Sequence, residues 1–307
     1  MSHRNKAYLY LVTVAIIWGT ASPIIKFTLD GINPISFLAY RFAIAASFSI
    51  SYFFTKGIKL SKLKKNLLLI IIYGLLAFPI ALGTLFIGLD KSTVLDVTVI
   101  NTIGPLVVAL GGAYFFKEHI TKREKIGITI VVIGAALNAL APILINNSNV
   151  RLTGNLFIIA FLLADSSATL LAKKIVKKKI SPLTLTNFGF IVGAITIIPF
   201  ALLTQGSENL IASIVHLPFK YHLGVWYMAL VSGTLAYFLY VAGQKSIEVS
   251  EAALFNYLQP IFTIPLAIFW LGEKITPTFI AGAFLITTGI VIAEYKKKPK
   301  IASKPHS

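Results

Sequence analysis

The 307-residue chain contains no cysteine, which excludes disulfides, thiolate metal sites and cysteine nucleophiles. Histidine is scarce too. The five are His3, His119, His216, His222 and His306, and none stands in the middle of an apolar run. A zinc-ligating His pair on one helix turn and a buried Ser-His dyad are therefore both ruled out. There is no Gly-x-x-x-x-Gly-Lys-Ser/Thr loop, so ATP does not drive anything on this chain. Charged residues make up 13% of the sequence, against about a quarter in soluble domains.

What is present is apolar: 56% hydrophobic residues and a mean hydropathy of +0.82, a composition whose solvent is lipid. A helix needs about 20 apolar residues to cross about 30 Å of hydrocarbon. Ten such runs are found, at approximately 7–27, 34–55, 67–88, 93–116, 126–145, 153–175, 183–204, 223–243, 250–271 and 277–295. The fold class expected is all-α integral membrane. The net charge of +17 sits between these runs, in clusters such as 56–65 and 173–179, without the aromatic interleaving that stacks bases. Nucleic acid is thus not an expected partner; the lipid bilayer is.

The position of the basic residues sets the topology. With ten spans both termini share a side, and 22 of the 28 Lys and Arg fall on it. The other side carries Lys26, Lys91, Arg151, Lys220 and Lys274, and Arg41 lies inside a span. Both termini are therefore expected in the cytoplasm of a multi-pass cell-membrane protein, and the first run is expected to be retained rather than cleaved as a signal peptide.

The chain also repeats itself. Shifted by 155 residues, Asn101 meets Asn256, Pro105 meets Pro260, Glu118 meets Glu273 and Thr121 meets Thr276; Gly127 then meets Gly282 and Gly134 meets Gly289. Five spans per copy is an odd number, so the second copy enters the membrane from the opposite side. The expected architecture is ten transmembrane helices as two inverted-topology five-helix repeats, at 7–145 and 153–295, followed by a basic cytoplasmic tail at 296–307. The polar stretch 146–152 separates the halves, and 205–222 reads as an amphipathic segment on the outer surface. The paired glycines, seven apart, are read as close helix packing.

Trp18-Gly19 in the first span, Pro34 and Arg41 at the second, the Asn101-x-x-x-Pro105 and Asn256-x-x-x-Pro260 breaks and the two Glu-x-Ile-Thr turns together resemble the EamA family of the drug/metabolite transporter superfamily. The resemblance covers nearly the whole chain as two EamA units. It implies a ten-helix transporter with a central cavity between the halves, often exporting amino acids or related metabolites. The second half lacks the Trp-Gly pair and the arginine, so no site residue carries over by symmetry.

Several residues are candidates to line such a site. Of eleven acidic residues, Asp165 alone lies in mid-span, where an insertion cost of about 2.5–3.5 kcal/mol demands that it face protein or water. Three roles fit it: a proton-coupling site, a partner for a substrate amine, or a hydrogen-bonder to Ser166 or Thr169. Arg41 suits a carboxylate or phosphate held by its planar fork; snorkelling to the interface is the competing reading. Pro105 and Pro260 mark helix breaks, read as hinges facing the site or as packing kinks, and Asn101, Asn256 and Gln259 offer amides beside them. Trp18, Asn187 and Tyr237 complete the expected substrate-binding set.

The expected function is a secondary transporter working by alternating access on a small-molecule substrate, exporting amino acids or related metabolites. A sugar, nucleotide-sugar or organic-phosphate carrier is the alternative and would call for more than one membrane cation. A lone Asp165 gives no acid–base pair, so no enzyme is expected; a non-transporting scaffold is the remaining class. Neither cofactor nor metal is expected, and the expected unit is a monomer.

Overall fold

The computed structural model describes residues 3–56, 65–116, 121–146, 149–176, 178, 180–244 and 255–294. Glu118 and the basic tail at 296–307 lie outside the described residues. The described chain is helical, as lipid requires, because a helix satisfies its own backbone where no water can. In order the helices are α1 (His3–Leu29), α2 (Pro34–Lys56), α3 (Leu67–Leu75), α4 (Ala81–Lys91), α5 (Val94–Asn101), α6 (Gly104–Phe116) and α7 (Lys122–Asn146). The second half has α8 (Asn149–Val176), α9 (Pro182–Gln205), α10 (Ser207–Val215), α11 (Phe219–Trp226), α12 (Ala236–Gln244), α13 (Gln259–Phe269) and α14 (Pro277–Glu294).

Among the described residues, six stretches are long and apolar enough to cross a membrane: Arg4–Leu29, Pro34–Thr55, Leu67–Lys91, Asn149–Val176, Pro182–Gln205 and Phe219–Tyr240. Shorter apolar helices occupy Val94–Val108, Lys125–Leu140, Phe255–Phe269 and Pro277–Ala293. Large apolar side chains stand on the outside of the bundle, with Leu203 and Phe269 each 86% exposed, a surface that suits acyl chains and not water. Hydroxyls inside the apolar helices turn back on the preceding carbonyls, as in Thr13 to Leu9 and Ser47 to Ala43, so that they bring no unsatisfied group into lipid.

Helix starts follow local chemistry. Pro34 and Pro182 occupy first-turn positions, where the missing N–H costs nothing, behind capping side chains of Asn33 and Ser181 that accept from Ser36 and Thr184. The 205–222 connector folds as α10 and α11, with Leu210 of α10 buried. Gly206 at φ 80° makes the corner between α9 and α10.

Irregularities recur at matching places in the two halves. The third apolar run of the first half carries a π-helical turn at Leu76–Ile80, and that of the second half one at Tyr227–Leu235; a shift of 155 lays 76–80 on 231–235. The fourth run breaks at Thr102–Ile103, between α5 and α6, and the described part of its counterpart has a 3₁₀ turn, Phe255–Leu258, just before α13. Pro105 and Pro260 thus sit in the first turn of a new helix rather than kinking a continuous one, and the discontinuity lies just N-terminal to each.

Helices α7 and α14 pack most extensively, and glycines are the reason. A Cβ on Gly127 would lie 2.5 Å from the Gly289 carbonyl oxygen, and one on Gly289 would lie 2.6 Å from that of Gly127. Gly134 and Gly282 show the same reciprocity at 2.9 and 2.8 Å. Because 127 faces 289 while 134 faces 282, these repeat-equivalent helices run antiparallel. The close packing expected of the four glycines is what they provide.

A polar knot closes the end of the bundle away from the N-terminus, hereafter the distal end. Arg151 of α8 holds Asp96 of α5 through two 2.8 Å hydrogen bonds, with Asp96 3% exposed. The Ser92 hydroxyl lies within hydrogen-bond reach of both Asp96 and Asn155 and shares its one proton between them, and Asn155 donates to the Ala139 carbonyl. Removing one partner of such a pair strands the other, so Asp96→Ala should lower stability by about 3 kcal/mol. Thermal unfolding in detergent checks this, and Arg151→Met in the Asp96→Ala background should restore part of the loss.

Candidate functional site

The Trp18-Gly19 pair fixes α1 against the second half in two ways. Gly19 leaves room for the start of α13: a Cβ there would lie 2.8 Å from the Gln259 carbonyl oxygen, and Thr263 donates to the Gly19 carbonyl at 2.6 Å. The Trp18 indole donates to the Ser232 carbonyl at 3.2 Å. That acceptor lies in the Tyr227–Leu235 π turn, where the register change leaves carbonyls out of the α-helical ladder. Two residues on, Thr20 bonds the Tyr227 hydroxyl at 2.6 Å, and Tyr227 also reaches the Ile17 carbonyl at 3.0 Å.

Around Trp18 an aromatic cluster gathers from five elements. Trp18 meets Tyr237 at 5.4 Å and Tyr240 at 5.2 Å between ring centroids. Tyr237 continues edge-on to Phe190 at 6.5 Å, Phe190 to Phe78 at 4.9 Å, and Phe78 to Tyr73 at 6.2 Å. Gly189 lets the Phe78 ring approach α9, since any Cβ there would fall within the ring. Tyr73 lies beside Thr186.

Two charged side chains stand beside this cluster. Tyr237 is within electrostatic range of both Arg41 and Asp165, and Tyr73 is within range of Asp165. Arg41 is 4% exposed, its guanidinium lies 5.7 Å from the Phe86 ring centroid, and its Nε and Nη1 have no hydrogen-bond partner among the described residues. This is not the geometry of a snorkelling arginine, whose head group would reach water. Asp165, midway along α8, is exposed, and it forms neither a salt bridge with Arg41 nor a hydrogen bond with Ser166, whose own buried Oγ is unpartnered. Both charges are thus within electrostatic range of Tyr237, with no salt bridge between them.

Trp18, Arg41, Asp165 and Tyr237 are thus brought together. Gln259 joins through the backbone contact with Gly19, and its side chain donates to Asn256 at 3.2 Å. Asn187, buried in α9, spends its amide on the Leu183 carbonyl one turn earlier, and Asn101 is exposed beside the α5–α6 break. Among the described residues neither forms a hydrogen bond with the cluster. Sequence reasoning missed Tyr73, Phe78, Phe190, Thr186 and Ser232. These are ordinary residues in apolar runs, and only the Pro79 beside Phe78 hinted at an irregular turn. A groove of about 680 Å³ lined by Asn33, Ile87, Phe200 and Gln205 opens at the distal end and shares none of the cluster's residues.

Comparison with known proteins adds identity to this geometry. The model of the EamA-like transporter family matches residues 5–140 and again 152–295. "Uncharacterized transporter YyaM" of Bacillus subtilis (strain 168) is 28% identical over 314 residues, covering 100% of this chain and 99% of that protein. Proteins named "Probable amino-acid metabolite efflux pump" from Salmonella typhimurium and Escherichia coli (strain K12) are 25% and 26% identical. They match 94% and 99% of this chain, over 94% and 100% of their own lengths. A solved crystal structure aligns with a TM-score of 0.62 at 16% identity, covering 95% of this chain and 98% of that one; the likeness is one of fold.

Proposed function

The chain belongs to the EamA-like transporter family, and from that premise we propose that it exports amino acids or closely related carboxylate-bearing metabolites by alternating access. Membership makes it a multi-pass membrane transporter and not an enzyme. The finer reading is ten spans in two inverted five-helix repeats, 7–145 and 153–295, about a central site, with both termini cytoplasmic. The antiparallel, reciprocal packing of α7 and α14 supports the inversion, and the distribution of Lys and Arg supports the orientation.

One observation carries the substrate class: a buried guanidinium with two unpartnered nitrogens beside an aromatic surface. A buried charge without a partner is costly, and a planar fork of N–H donors is complementary to a carboxylate. Asp165, separate from Arg41 but facing the same rings, would take the substrate amine. An exposed carboxylate midway along a membrane helix needs water or a ligand before it. The names of two relatives point the same way. A phosphate or nucleotide-sugar carrier would ask for a second cation, and Arg41 is the cation that this cluster holds among the described residues.

Counterflow into proteoliposomes tests the proposal. Unlabelled amino acids inside should accelerate uptake of labelled ones, whereas the matching decarboxylated amines, sugars and organic phosphates should not; exchange driven equally by the amines would sink the carboxylate assignment. Coupling is tested separately. If Asp165 carries the proton, Asp165→Asn should abolish flux driven by a pH gradient while leaving exchange at equal pH measurable. An unchanged response to the gradient would assign coupling elsewhere.

A further inference from the structure

The distal end holds a carboxylate that the transport site does not use. Glu273, in the turn between α13 and α14, accepts hydrogen bonds from the backbone N–H of Val94 at 2.6 Å and of Leu95 at 2.9 Å. Those amides are the first two of α5, so the carboxylate of the second half caps a helix of the first, 179 and 178 residues away in sequence. The turn is shaped for this. Gly272 at φ 69° reverses the chain, and the Glu273 N–H is tied back to the Ala267 carbonyl at 2.9 Å. A negative group at a helix N-terminus meets unsatisfied N–H groups and the positive end of the dipole.

Two further facts distinguish this contact from an ordinary cap. The helix it holds is only Val94–Asn101 long and ends at the Thr102–Ile103 break, which separates it from α6. Opposing influences also act on the carboxyl. Burial pushes the Glu273 carboxyl above the ordinary carboxylate range, while the two amides and Lys26 pull it back and Asp96 pushes it up. Lys26 is itself held by the carbonyls of Leu89, Asp90 and Ser92 at 2.6–3.1 Å, beside α5. Other ties across the halves at this end are Arg151 with Asp96 on α5 itself, Ser92 with Asn155, Gln205 with Asn33 and Ser36, and the packing of Phe27 on Trp270 at 5.0 Å. Arg151 grips α5 through a side chain, whereas Glu273 grips its amide end.

We infer that Glu273 is a reversible latch: its carboxylate, bound to the amide end of the short helix α5, holds the distal ends of the two halves together, and its release lets that end open. The inference rests on the alternating-access reading, but it is tested by distance and not by flux, so the substrate assignment can fail without it and it can fail alone. The latch works through the amides. While the end is closed they are shielded and need an acceptor; when it opens, water supplies one. An end that opens and closes each cycle needs a contact of this kind, in which protein and water acceptors exchange.

The native chain has no cysteine, so spin labels at Lys91→Cys and Ile275→Cys, both exposed positions, report the distal gap without background. Electron–electron double resonance in lipid should give one main distance for the parent. Glu273→Ala should add a longer-distance population, with the open-to-closed ratio raised about tenfold by two orphaned amides in the closed form. Val94→Pro supplies an independent arm. It deletes one donor at a first helical position that accepts proline, behind Thr93 at φ −108°, ψ 156°, which a following proline tolerates. Alone it should open the end to a smaller degree. Combined with Glu273→Ala it should move the distribution part of the way back, because it removes one of the orphans. Parent-like distances in both single variants would overturn the latch, as would a double variant more open than Glu273→Ala. Should the alanine variant fold poorly, Val94→Pro with the carboxylate intact decides.

Discussion

Arg41→Met should be more thermally stable than the parent and unable to hold its substrate. The two effects share a cause. In the free protein the Arg41 guanidinium is buried with Nε and Nη1 unpartnered beside Phe86, and replacing a poorly compensated buried charge with an apolar side chain of similar length gains about 1–4 kcal/mol. On the reading proposed above, that same charge receives the carboxylate of the substrate. Truncating one member of a buried charge pair costs about 2–5 kcal/mol, so affinity should fall roughly 30-fold or more. Thermal unfolding in detergent without substrate measures the first effect and counterflow in proteoliposomes the second. Arg41→Lys should retain the charge but lose the forked geometry, giving partial transport. An Arg41→Met protein that melts earlier and still transports would assign the arginine to structure instead.

Gly289→Leu should abolish recovery of the folded protein. At this position the neighbour is backbone: the Gly127 carbonyl oxygen would be 2.6 Å and the Val131 nitrogen 2.9 Å from the new Cβ. Helices α7 and α14 would have to separate along their whole contact, with a cost of about 3 kcal/mol or more. Gly83→Ala is the matched control. Its Cβ would meet nothing within 4 Å, and it lies inside α4, where alanine is favoured over glycine by up to about 1 kcal/mol. Size-exclusion profiles of tagged variants should show a monodisperse peak for Gly83→Ala and an aggregated or absent one for Gly289→Leu. A normal peak for Gly289→Leu would mean that the glycine seam is not what joins the halves.

The breaks at Pro105 and Pro260 show how far local rules reach. Proline's missing N–H marks a discontinuity at matching places in both halves, and both discontinuities are present. Its exact form was decided by what a proline tolerates best: a first-turn position, with the irregular residues at 102–103 and 255–258 just ahead. Of the π turns, the one at Leu76–Ile80 had a hint in Pro79 and the one at Tyr227–Leu235 had none, since inserting one residue into a helical turn depends on what packs against it. The same limit hid Ser232, whose carbonyl matters only because a π turn leaves it free for Trp18.

Sequence by itself determined the solvent, the helical class, the duplication, the paired glycines and which charged residues lie within apolar runs, because each follows from composition, run length or identity at a fixed spacing. Tertiary structure alone decided which faces of those helices meet. A soluble helix writes its buried face into the alternation of polar and apolar residues; a helix in lipid is apolar all round, and the writing is lost. Asp165 and Arg41 could be picked out one at a time, but not that they would face the same tyrosine without pairing. Nor could the sequence say that Tyr73, Phe78 and Phe190 would complete the surface between them, or that Glu273 would reach across to α5. Those placements depend on crossing angles and register shifts between helices, and side-chain packing across the whole bundle sets them.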